Sequence, residues 1–82
     1  MRLPRDVSGR DLARALAELG YSIVRQSGSH IRLTRPIQPE HHLTIPDHPA
    51  LRVGTLAGAI ADVAAHTGLS REQVLHRLFG AR

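Results

Sequence analysis

Tyr21-Ser-Ile-Val-Arg-Gln-Ser-Gly-Ser-His-Ile-Arg-Leu-Thr34 is the stretch that decides the fold. Tyr21 to Gln26 is rich in β-formers, Ser27-Gly28 is a turn signal, and Ser29 to Thr34 alternates strictly, Ile31 and Leu33 facing one way and His30, Arg32 and Thr34 the other. This pattern predicts a β-hairpin with one apolar and one polar face. Working toward the C-terminus, a Pro-bounded connection from Arg35 to Glu40 leads to His41-His-Leu-Thr-Ile45, where Leu43 and Ile45 alternate with His42 and Thr44 before Pro46 closes the run. That is a third strand, and its polar residues belong on the same face as His30.

Working toward the N-terminus, Ser8-Gly-Arg-Asp11 has the form of a capping box, and Leu12, Leu16 and Leu19 follow at helical spacing until Gly20 stops the run. Residues 9–19 are thus expected to form a short amphipathic helix. Beyond the third strand, Gly54-Thr55 opens a second helix with Leu56, Ile60 and Val63 on one stripe, ending near Thr67-Gly68. Ser70, with Gln73 three residues on, starts a third helix that ends at Phe79-Gly80. The order α-β-β-β-α-α predicts an α+β domain with an antiparallel three-stranded sheet, its helices on one side, and an extra C-terminal helix. No linker or repeat divides the chain, so residues 1–82 are read as a single domain, with 1–7 loosely ordered.

Eighty-two residues leave room for one modest core, so any function lies on a surface. The absence of cysteine excludes disulfides and thiolate metal sites. No apolar run reaches the roughly 18 residues of a membrane span, and the N-terminus lacks a signal-peptide stretch, which makes the cytoplasm the expected location. The net charge is +4, and all eleven basic residues are Arg, whose planar fork suits phosphate. A GC-rich coding bias inflates Arg and Ala together, but it does not explain placement. Residues 1–35 carry seven Arg and three acids, whereas 36–82 carry four of each. The basic footprint lies in the first half.

The run Leu3-Pro-Arg, Ser8-Gly-Arg-Asp-Leu12, Leu16, Leu19-Gly-Tyr21, Val24-Arg-Gln26, Gly28-Ser-His30, Leu43-Thr-Ile-Pro46 with His48, and Val53-Gly-Thr-Leu56 resembles the HicA family of toxins in order and spacing. The resemblance spans roughly residues 3–75. It implies a double-stranded-RNA-binding-like fold, ribonuclease action on messenger RNA (mRNA), and neutralisation by a HicB-like antitoxin. It also puts the family's catalytic histidine on His30. Where many members have a second histidine next in the chain, this one has Ile31, assigned above to the apolar face. Members also tend to use lysine where this chain uses Arg.

Metal-free RNA cleavage needs a base at the 2′-OH, positive charge at phosphorus and an acid for the 5′ oxygen; an imidazole suits the first role. His30 meets that need, exposed just after a tight turn. Arg25 and Arg32 flank the turn as phosphate ligands, and Gly28 and Ser29 offer backbone N–H groups there. Gly28 is also expected to supply positive φ. For Arg10 and Arg14, a solvated helix face is the simpler reading. The second proton-transfer group is left open among His41, His42 and His48, which the sequence does not place; His42 is on the right face if the strand register holds, and His42 and His48 are kept as candidates. His66 and His76, on helices, are read as solvated. The spacing of His41, His42 and His48 matches no common metal-ligand pattern, so no metal or other cofactor is expected. The polar face carries no aromatic residue for stacking bases, so recognition is expected to rest on backbone and shape.

Two other classes fit the same chain: a non-catalytic RNA-binding module, and an interaction domain whose third helix docks a partner. Under the toxin reading, the antitoxin is expected to cover residues 25–34.

Overall fold

The computed structural model describes residues 3–80. The chain folds as α1 (Gly9–Ala15), continued by a 3-10 turn at Leu16–Leu19, then β1 (Ser22–Ser27), β2 (His30–Arg35), β3 (His41–Pro46), α2 (Val53–Thr67) and α3 (Arg71–Phe79). This is the α+β order expected, with three antiparallel strands in the order β1-β2-β3. The first helix departs in one detail, since its last turn tightens to 3-10 geometry before Gly20, at φ +91°, ends it. Local caps set the boundaries. Ser8 Oγ accepts the Asp11 N–H at 2.9 Å, and Ser70 and Gln73 form a complete capping box on α3.

Period-two alternation places Ile31, Leu33, Leu43 and Ile45 under the helices, where they meet Leu12, Leu16, Leu56, Ile60, Val63 and Val74 in one buried cluster. Of the first seven residues, expected to be loosely ordered, Val7 is buried, its carbonyl accepts the Leu51 N–H at 2.8 Å, and Leu3 packs against the core. Met1 and Arg2 lie outside the described residues.

The hairpin turn is two residues long, with Ser27 opposite His30. Gly28 has φ +58° and Ser29 does not share it, the pattern of a II′ turn, whose twist matches the flanking strands. From there Gln26 faces Ile31 and Arg25 faces Arg32, but the next pair is Ile23 with Leu33, leaving Val24 as a bulge. The extra residue reverses the alternation upstream of it. Without it Val24 would oppose Leu33 and Tyr21 would point to solvent; with it Tyr21 turns inward and is buried. The sheet therefore gains its one aromatic core residue from a backbone irregularity.

Candidate active site on the outer sheet face

Residues directly opposite in an antiparallel ladder share a face. The polar face of the sheet therefore holds three rows: Ser27, His30 and Pro46; Arg25, Arg32 and Thr44; Ser22, Thr34 and His42. His30, Arg25 and Arg32 are all exposed, and the chain has no acid from Leu19 to Pro39. Two guanidinium groups thus stand on adjacent strands, one row from the imidazole, with nothing on either strand to neutralise them. Like charges directly opposite destabilise a sheet, so the pair is a cost in the free chain that an anion would relieve. Gly28 and Ser29 are exposed at the same end, and a Cβ at Gly28 would meet nothing within 4 Å.

His30 lies on the central strand, so its backbone is held from both sides. The Asp47 N–H donates to the Ser29 carbonyl at 2.7 Å, extending the β2–β3 ladder past the His30–Pro46 pair. The Asp47 carboxylate accepts from Gln26 Nε2 at 2.9 Å and pairs with Arg10 Nε at 3.3 Å, joining β1, the end of β3 and α1. Arg10 is thus exposed on the helix face, as expected, and also an ion-pair partner of Asp47. Next to it, Gly9 packs against the backbone of Pro46 and Asp47 and donates its N–H to the His48 carbonyl at 2.9 Å.

The register separates His42 and His48, two of the three candidates for a second proton-transfer group. His42 is four residues along β3 from the partner of His30, about 14 Å away between Cα atoms. Its ring is also engaged, Nδ1 with Thr34 Oγ1 at 2.9 Å and Nε2 with Glu40 at 3.7 Å. His48 follows Asp47, at the same end of the sheet as His30, and is exposed.

His41 and His66 belong to a separate cluster at the far end. His41 Nδ1 is 2.6 Å from Tyr21 Oη, and its Nε2 is 3.3 Å from Asp62 Oδ1. The His66 ring stacks on His41 with centroids 4.3 Å apart. The reading of His66 as solvated is thus corrected: the ring is half-buried and its Nε2 is enclosed without a hydrogen-bond partner. Loss of hydration, then the nearby His41 and Arg35 charges, hold its pKa below the ordinary value, against a weaker opposing pull from Asp62. Burial likewise pushes the Tyr21 phenol up. His76 is exposed on α3, as expected.

Among the described residues no group of three or more His, Cys, Asp or Glu is arranged to hold a metal ion, and no helix is long and apolar enough to cross a membrane. A family model described as the HicA toxin of bacterial toxin-antitoxin matches residues 9–64, from the start of α1 well into α2. No curated protein and no solved structure matches the chain significantly.

Proposed function

The chain belongs to the HicA toxin family of bacterial toxin–antitoxin systems, and from that premise we propose that it is an endoribonuclease acting on mRNA, with His30 as its acid–base group. The observation that carries this reading is the exposed imidazole one row from the Arg25–Arg32 pair, on two strands that carry no acid. The RNA backbone lies along that face, its phosphate held by the two guanidinium groups and by the N–H groups of Gly28 and Ser29.

His30 takes the proton of the 2′-OH, and the 2′ oxygen attacks phosphorus. The arginines stabilise the extra negative charge that develops there. The bond to the 5′ oxygen breaks, and that oxygen leaves with a proton supplied by His48 or by water. The products are a 2′,3′-cyclic phosphate and a 5′-OH. No step calls for a metal ion. A HicB-like antitoxin silences the site by covering residues 25–34, since a face without a deep pocket is blocked most directly by occlusion.

The test is expression in bacteria and RNA cleavage in vitro, wild type beside His30→Ala. Because the His30 side chain is exposed, the variant folds as wild type. Growth arrest and cleavage are lost, while wild-type cleavage persists in EDTA. Undiminished cleavage by folded His30→Ala protein would remove His30 from the mechanism. RNA binding by both proteins with cleavage by neither would favour a non-catalytic RNA-binding module.

A further inference from the structure

β1 is bonded on one side only. The sheet order puts it at an edge, all six of its residues are exposed, and among the described residues one row of its backbone N–H and C=O groups has no strand to pair with. Such an edge is a template for an incoming strand, and proteins usually blunt it with lysine, proline or a covering loop. Here the edge instead shows apolar side chains: Ile23 is 49% and Val24 58% exposed. The bulge puts them on different faces, Ile23 on the helix side opposite Leu33 and Val24 outward beside Arg25.

We propose that the outer edge of β1 is a strand-addition site, at which an extended acidic segment of the antitoxin pairs with Ser22–Ser27. The inference rests on the toxin reading above and names how the partner is held. Backbone pairing would supply the register, Ile23 and Val24 would each meet an apolar residue, and acids on the incoming strand would face Arg25 and, one strand further in, Arg32. Charge selects this occupant over a second copy of the chain. In antiparallel self-pairing across all six residues Val24 of each copy faces Arg25 of the other, so the two Arg25 residues stand one position apart on the shared edge, with no acid on either strand to offset them. RNA is disfavoured because an unpaired strand edge flanked by Ile23 and Val24 presents apolar contacts and backbone groups rather than further cations. A partner seated on β1 also lies beside the row that holds His30, so edge pairing and occlusion of the site become one event.

The experiment uses the full chain carrying His30→Ala, bound to the purified protein encoded beside it, and follows amide hydrogen exchange together with affinity for Ile23→Lys and Val24→Lys. The expected result is protection of alternate β1 amides in the complex and an affinity loss of tenfold or more for each lysine variant. RNA cleavage by Ile23→Lys in the His30 background stays at the wild-type level. Full affinity of both variants, with β1 amides exchanging as in the free chain, would overturn edge pairing and leave the ribonuclease reading standing. Protection of β1 by a short oligoribonucleotide, or dimerisation of the free chain through β1, would overturn it equally. Loss of RNA cleavage in the wild-type chain, by contrast, would strike the reading on which the inference rests.

Discussion

Gly9→Ala is the substitution that probes most directly how the His30 end of the sheet is held. A Cβ at that position would overlap the Pro46 carbonyl oxygen and stand 3.0 Å from the Pro46 carbonyl carbon and 3.2 Å from Asp47 Cα. All three are backbone atoms, so no side chain can swing away, and α1 must lift from the end of β3. Overpacking of this kind costs about 1–3 kcal/mol. Lifting α1 also strains the Gly9–His48 hydrogen bond, worth about 1 kcal/mol net. Against this stands a gain of at most about 1 kcal/mol from alanine's helix propensity. The balance is a destabilisation of about 2 kcal/mol, or a fall in Tm of about 8–16 °C for a chain of this size.

Gly58→Ala in α2 is the matched control, because a Cβ there meets nothing within 4 Å; it should stabilise by roughly 0.5–1 kcal/mol. Urea unfolding followed by far-UV circular dichroism measures both. The steric reasoning fails if Gly9→Ala unfolds within about 0.5 kcal/mol of wild type, inside the usual range for harmless surface changes. Because the added methyl presses on the backbone of Pro46 and Asp47, and the Asp47 N–H holds Ser29 beside His30, cleavage by the folded variant should also drop.

Arg25→Ala and Arg32→Ala should each weaken RNA binding and lower the slope of log affinity against log salt by about 0.7 per lost phosphate contact, read by titration at several salt concentrations; unchanged slopes would place the RNA elsewhere. Stability should depend on pH through His66. Its folded pKa is held below the ordinary value near 6.5, so the stability contributed by the neutral ring is complete above about pH 6.5 and declines as pH falls through the lowered value. His66→Phe should flatten that decline in thermal melts between about pH 5 and pH 7.5, and an identical slope in the variant would assign the pH dependence to other groups.

The layout was legible because its determinants are local. Strict alternation in His30–Thr34 and His41–Ile45 encodes a face, and Ser8, Gly20 and Ser70 encode helix ends. The bulge at Val24 was not legible, since nothing in Ile23-Val24-Arg25 distinguishes a regular strand from one that gains a residue to bury Tyr21. Asp47 was missed for a similar reason: its partners Arg10 and Gln26 lie 37 and 21 residues away, and only the closed sheet brings them together. His66 did carry a signal. It follows Val63 by three residues on the stripe of Leu56 and Ile60, so the spacing pointed to partial burial while the polar side chain suggested solvent.

The sheet itself accounts for how so thin a domain can hold a reactive group in place. A catalytic side chain must be exposed to reach RNA, yet its backbone must not wander, and on a surface loop these demands conflict. The first residue of a central strand, immediately after a two-residue turn, meets both. His30 has Ser27 on one side and Pro46 on the other, so its backbone is bracketed while its side chain emerges beside open solvent. Pro46 cannot donate a hydrogen bond to the ladder, and the next residue supplies one instead, through the Asp47 N–H to Ser29. Asp47 then anchors itself through Arg10 and Gln26, so the tether on His30 reaches the first helix and the edge strand without any buried charge. Stiffness at the site is thus achieved by surface hydrogen bonds around a buried strand, leaving the arginines and the imidazole free for a ligand.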